Sequence, residues 1–268
     1  MRPFVALDTS TDHVALAVGD LDAPGAVLAS EDFEARRAAN TVLLPALERL
    51  MALAGVGMAE TAAILCGRGP GSFTGVRIAM ATAKGLAHGL GVPLVGVGTL
   101  DAVAVRAQRN GLVAVVGDAM RGEVYPALFR VASGRAERLT ADRVARPEAA
   151  AAEWAALDES LTLTGWGLVR HGDTIRTALR PEVRIAAERM WVPDGASLIH
   201  AAWSQSGPGS LATIARLDRV EALAAAHPAV LLPVYTRLSD AEEAEVRAGG
   251  LRVPPAGGVA GPGGGGAS

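Results

Sequence analysis

The chain has 268 residues, half of them hydrophobic, with 28 acidic against 25 basic side chains and a formal net charge of −3. That length buries one large core or two modest ones, and the acidic balance argues against the basic surface of a stand-alone nucleic-acid binder. The single cysteine, Cys66, excludes an intrachain disulfide framework, and apolar runs stay short of the roughly 18 residues of a membrane span.

Met1-Arg2-Pro3-Phe4 leads directly into a strand, so no signal peptide and a cytoplasmic location are expected. Phe4–Leu7 and Val14–Val18 read as strands joined through Asp8-Thr9-Ser10-Thr11-Asp12, and residues 26–33 as a third. A helix over residues 41–54 places Leu43, Leu44, Leu47, Leu50, Met51 and Ala54 at helical spacing, with Gly55 just past its end. A buried strand (62–66), a glycine-rich turn, a long helix (72–90) and a strand (93–97) follow. Cys66, inside the apolar run of that buried strand, reads as a small hydrophobe.

The order then recurs. Residues 112–117, 122–131 and 136–140 read as strands, 147–157 as a helix, 161–164 as a strand and 168–179 as a helix. Two rounds of strand-strand-strand-helix-strand-helix predict a duplicated α/β unit. Residues 194–204 and 213–226 read as two closing helices. The tail after Gly249 is nearly all Gly, Pro, Ala and Val, too poor in side-chain surface to offset ordering entropy, so disorder is expected over 249–268.

Each round ends its first strand on an aspartate: Asp8 in Ala-Leu-Asp-Thr-Ser-Thr and Asp118 in Val-Gly-Asp-Ala-Met-Arg-Gly-Glu. Such a turn can cradle a nucleotide phosphate on backbone N–H groups when a glycine lets the anion approach. Ser10 and Met120 hold that slot here, so Asp8, Thr9, Ser10 and Asp118 are weak phosphate-hairpin candidates beside the simpler reading, an aspartate bonding to its own turn. Gly67, Gly69 and Gly71 around Pro70 make a turn that backbone can pass closely, and Ser72 or Thr74 can cap the helix that follows. A P-loop, a dinucleotide fingerprint and a hydrolase elbow all fail on spacing: Val76 follows Gly75, Ser72 stands where a third glycine is needed, and Ser72 directly follows Gly71. His13, His88, His171, His200 and His227 show no metal-ligand spacing and no base for a serine nucleophile, so Ser72 reads as a cap.

The helix over 72–90 carries three stripes. Arg77, Lys84 and His88 share one; Phe73, Val76, Met80, Ala83, Ala87 and Leu90 form an apolar one; Gly75, Ala79, Thr82 and Gly89 form one of small residues. Covering a sheet takes a single apolar face. An interaction surface shared with the helix over 41–54 is therefore expected, against the plainer reading of a helix buried wholly in the monomer. Its residues would be Leu43, Leu47, Leu50, Phe73, Val76, Arg77, Met80, Ala83, Lys84 and Ala87.

Gly-Arg-Gly-Pro-Gly-Ser-Phe-Thr-Gly-Val-Arg-Ile at 67–78 strongly resembles the signature stretch of the TsaB (YeaZ) family. The Asp-Thr-Ser opening, Leu43-Leu44-Pro45, residues 118–125 and Pro233-Val234-Tyr235-Thr236-Arg237 resemble that family's other landmarks, in order, over about residues 3–238. The resemblance implies a duplicated actin-like (RNase H-like) fold of the sugar-kinase/Hsp70 superfamily, two lobes with mixed sheets flanked by helices. It divides the chain into an N-terminal lobe (1–110), a smaller C-terminal lobe (111–192) and closing helices that return to the first lobe (193–240).

In function, it implies a non-catalytic subunit that binds TsaD, with TsaE, for threonylcarbamoylation of adenosine 37 in tRNA. A homodimer would form when TsaD is absent, and tRNA would be met only through the complex. No cofactor, metal or membrane is expected. TsaD carries two metal-binding histidines in the segment equivalent to 36–45; here that segment has no histidine, and Asn40 is the nearest polar substitute, leaving a transition metal without ligands. The alternatives are a small-molecule kinase or ATPase of the same fold, which the two hairpins disfavour, and a peptidase acting on a partner, for which no nucleophile–base pair is legible.

Overall fold

The computed structural model describes residues 1–107, 109–179 and 182–234. The expected tail, and the motif residues from Tyr235 onward, lie outside the described residues.

Strand β1 (Pro3–Asp8) is wholly buried and forms the middle of a five-stranded sheet. It pairs antiparallel with β2 (His13–Asp20), which pairs antiparallel with the edge strand β3 (Val27–Glu34). On its other side β1 runs parallel to β4 (Ala63–Gly67), and β4 parallel to β5 (Leu94–Val97). The edge strand alternates half-buried and exposed residues and carries Glu31, Asp32 and Glu34, charges that discourage edge-to-edge pairing.

The second sheet repeats the first. Strands β6 (Gly111–Met120), β7 (Glu123–Ala132) and β8 (Arg135–Arg138) form the antiparallel half; β9 (Leu161–Thr164) and β10 (Arg184–Ile185) add in parallel beside β6. The orders β3-β2-β1-β4-β5 and β8-β7-β6-β9-β10 are the same sheet written twice, which is the duplicated actin-like (RNase H-like) fold.

Helices α1 (Ala39–Leu53) and α2 (Phe73–Leu90) cover one face of the first sheet. Leu43, Leu47, Leu50, Met80, Ala83 and Ala87 pack there against Val5, Leu7, Val14, Leu16 and Ile64. Helices α4 (Pro147–Ala155) and α5 (Leu168–Ala178) cover the corresponding face of the second sheet through Ala150, Ala151, Trp154, Leu168 and Ile175.

The remaining two faces are covered crosswise. Helix α3 (Thr99–Arg106), which follows β5, buries Leu100, Val103 and Ala104 against Val113, Val115, Ala127 and Phe129 of the second sheet. Helix α6 (Gly195–Ser204), which follows β10, buries Leu198, Ile199, Ala201 and Ala202 against Phe4, Ala6, Ala15 and Ala17 of the first. Arg138 of β8 binds Asp101 of α3 at 2.9 Å, and Arg106 of α3 binds Asp194, the cap of α6, at 3.0 Å.

The structure adds one helix to those expected, α3, and corrects another. The segment 99–106 gives no helical signal because Thr99, Val103 and Val105 are poor helix formers and six of its residues are buried, erasing any amphipathic period. The single helix expected over 213–226 is two, α7 (Leu211–Ile214) and α8 (Arg219–Ala225). Asp218 separates them, its carboxylate accepting from Val220 and Glu221 N–H at 2.8 and 2.9 Å and so starting a new helix.

Candidate functional site

The first candidate site lies where β1 ends. Asp8 is fully buried. Ser10 N–H donates to its Oδ1 at 2.5 Å and Thr99 Oγ1 to its Oδ2 at 2.6 Å. The Thr99 hydroxyl also accepts from Gly69 N–H at 3.2 Å and stands 3.1 Å from Ser10 Oγ. Burial pushes the Asp8 carboxyl above its ordinary range, and the Thr99 and Ser10 hydrogen bonds pull partly the other way. Cys66 beside it is buried too; desolvation first, and the Asp8 charge second, raise its thiol well above normal, so it is a poor nucleophile.

The glycines of the signature stretch have a local reason. A Cβ on Gly67 would fall on the Asp8 carboxylate, one on Gly71 on the Ser10 carbonyl, and one on Gly75 on the Thr9 carbonyl. Ser72 N–H donates to Ser10 O at 2.7 Å, and Thr9 Oγ1 donates to Gly75 O at 2.6 Å. The hairpin backbone thus docks on the start of α2, where the Ser10 carbonyl takes an amide that an anion at that helix start would use. Ser72 caps α2, its Oγ accepting from Gly75 N–H at 3.3 Å.

The second hairpin differs. Met120, Arg121 and Gly122 all have positive φ (62°, 53° and 78°), and Met120 N–H donates to Asp118 Oδ1 at 2.8 Å. The Trp166 ring lies against Gly117, where a Cβ would meet it at 2.8 Å. Arg170 Nε sits 3.4 Å from Asp118 Oδ2, and His171 Nε2 sits 3.6 Å from Oδ1, too long for a hydrogen bond. Asp118 and His171 are 53 positions apart in sequence and meet only because β6 and α5 are adjacent, so no spacing rule could have paired them. Among the described residues no three His, Cys, Asp or Glu side chains form a metal cluster. Asn40 stands exposed at the start of α1.

The expected interface is redistributed. Leu43, Leu47, Leu50, Met80, Ala83 and Ala87 are buried against the first sheet, and Val76 is buried beside Gly69. Their side chains cannot face a partner, and that part of the expectation is corrected: the apolar stripe of α2 is its core stripe. Phe73 and Arg77 are exposed, Lys84 half-buried, and the Arg77 guanidinium lies 3.9 Å from the Phe73 ring centre. The outer face of the pair holds Leu44 (47% exposed) on α1 and the stripe Ala81, Gly85 and Gly89 on α2. No described atom lies within 4 Å of a Cβ built on Gly85 or Gly89.

Three comparisons bear on this geometry. The family model described as TsaD, tRNA N6-adenosine threonylcarbamoyltransferase, matches residues 33–244. The "tRNA threonylcarbamoyladenosine biosynthesis protein TsaB" of Escherichia coli is 37% identical over 130 residues, 47% of this chain and 54% of that protein. The Bacillus subtilis protein of the same name is 30% identical over 141 residues, 52% of this chain and 60% of that one. These matches span roughly half the length of the curated relatives. Among solved structures, YeaZ from Pseudomonas aeruginosa superposes with a TM-score of 0.65 at 31% identity, over 88% of this chain and 100% of that one. A second Pseudomonas aeruginosa structure, titled an uncharacterized protein with similarity to peptidase YEAZ, gives 0.70 at 33% identity with the same coverage.

Proposed function

The chain belongs to the TsaB (YeaZ) family, within the wider family described as TsaD, tRNA N6-adenosine threonylcarbamoyltransferase, and on that premise we propose that it is a non-catalytic subunit for threonylcarbamoyladenosine formation in tRNA. Its task is to hold a larger transferase homologue, TsaD, through the outer face of α1 and α2. TsaE joins that assembly, two copies of this chain pair through the same face when TsaD is absent, and the assembly works in the cytoplasm.

One observation carries the reading. Glycine inside a helix costs about 1 kcal/mol relative to alanine. Gly75 has a steric reason to be glycine, because the Thr9 carbonyl fills the place of its Cβ. Gly85 has no such reason in the described structure. Together with Ala81 and Gly89 it makes a smooth strip on which another helix can approach closely, beside exposed Leu44 and Phe73. The hairpin carbonyl docked on the start of α2 and the burial of Cys66 support a subunit that positions rather than reacts.

The test is reconstitution with purified TsaD and TsaE and a supplied threonylcarbamoyl-adenylate donor, scoring threonylcarbamoyl transfer to tRNA with and without this chain. The expected result is transfer that depends on this chain in the mixture, and none from this chain alone. Transfer by the isolated chain, or full activity of the mixture without it, would overturn the proposal.

A further inference from the structure

A groove of about 1060 Å³ opens on the side of the molecule away from α1 and α2. Its walls come from the chain start at Arg2, the turn after β2 (Asp22, Gly25), the end of α3 (Arg106), the β7–β8 turn (Ser133 to Arg135), the outer side of α6 (His200, Trp203) and α7 with Arg216. Asp8 lies at one end of β1 and this groove at the other, since Arg2 precedes Pro3 and Pro3 pairs with Asp20. The groove is therefore separate from both hairpins.

Four arginines line it against two aspartates, on a chain whose net charge is −3. Both aspartates are neutralised within the fold. Asp22 binds the terminal amine at 3.1 Å and Arg2 Nε at 2.7 Å, and Asp194 binds Arg106 Nε at 3.0 Å while capping α6. Arg106 is further held by Val192 O at 2.8 Å. Arg135 and Arg216 are left over. Both are exposed, neither meets a carboxylate among the described residues, and Arg135 reaches only Trp203 O at 3.5 Å. Trp203 Nε1 is buried in the wall with no acceptor among the described residues.

We propose that this groove binds the phosphate backbone of RNA. Its volume lies at the upper limit of small-molecule sites, which run to about 1,000 Å³. The Asp194 carboxylate takes the Ser197 N–H at 2.7 Å and sets a negative charge at the start of α6, which disfavours a single-phosphate cradle there. Arg135 on β8 and Arg216 just after α7 stand on separate elements, an arrangement that suits successive phosphates rather than one. The choice of RNA over another polyanion rests on the tRNA-modification reading above. Because α6 lies on the opposite face of the first sheet from α1 and α2, the groove stays open when a partner occupies that pair.

The test uses a fluorescein-labelled tRNA transcript and the full chain, with anisotropy measured across a salt series. Arg135→Glu with Arg216→Glu is expected to weaken binding at least tenfold at about 50 mM salt and to flatten the salt slope by roughly 0.9 per lost phosphate contact. Arg135→Gln with Arg216→Gln gives a milder loss in the same direction, and unchanged melting temperatures show that both variants are folded. Co-purification with TsaD is read in parallel and should be unaffected, which separates this site from the proposed docking face. Unchanged tRNA affinity in both variants, or no tRNA binding by the unmodified chain, would overturn the proposal. Displacement of the tRNA by ATP at equal phosphate concentration would overturn it in favour of a nucleotide pocket.

Discussion

Replacing Gly85 with leucine should move two properties in opposite directions. The position is exposed, in the interior of α2, and no described atom lies within 4 Å of its Cβ position. In the isolated chain the change recovers about 0.8 kcal/mol of helix propensity. At about 2–4 °C per kcal/mol for a unit of this size, the melting midpoint should rise by roughly 2–3 °C. Against a closely packed partner helix the same side chain overfills the contact, at about 1–3 kcal/mol. That is a loss of roughly 5- to 150-fold in affinity. Differential scanning calorimetry of the free chain and isothermal titration with purified TsaD measure the two effects separately. A lower melting midpoint would show that Gly85 is needed by the monomer. Undiminished TsaD affinity would remove the strip as a docking face.

Two further substitutions probe the hairpin. Gly75→Ala, ten residues earlier on the same helix, should destabilise by about 1–3 kcal/mol in chemical denaturation, since its methyl group would meet the Thr9 carbonyl; a neutral or stabilising result would refute the packing argument. Asp8→Asn keeps the shape and removes the buried charge. A carboxyl whose folded pKa is raised binds its proton more tightly when folded, so its stability contribution is fully present below the ordinary aspartate range near 3.8 and is lost as pH rises through the raised value. The variant should therefore gain stability over the parent chain at pH 7 and lose that advantage near pH 3, as followed by thermal melts; an advantage that grows on acidification would contradict it.

Much of the fold is legible because its elements obey local rules. The alternation of short apolar runs with turn residues locates nine of the ten strands among the described residues, and the Ser72 cap and positive-φ Gly91 bound α2 as helix start and stop signals should. The failures share a cause. Helix α3 is buried on most sides, so it shows no polar face, and its β-branched residues argue locally for strand. The two-residue β10 is too short to leave a pattern. At the site, Thr99 bonds to Asp8 across 91 positions, a contact that only the completed sheet creates. The apolar stripe of α2 is visible, but periodicity does not say whether a stripe faces its own sheet or a partner; burial of Met80, Ala83 and Ala87 in the first sheet's core decides it.

The crosswise placement of α3 and α6 bears on how the two halves can move. Each repeat wears the other's third helix as a cover, and the Arg138–Asp101 and Arg106–Asp194 pairs fasten those covers down. Cutting the chain between α3 and β6 would hand each fragment a helix evolved for its neighbour and leave its own sheet half bare. The fragments would have to find one another to become soluble, and within the intact chain neither half can swing away without uncovering the other.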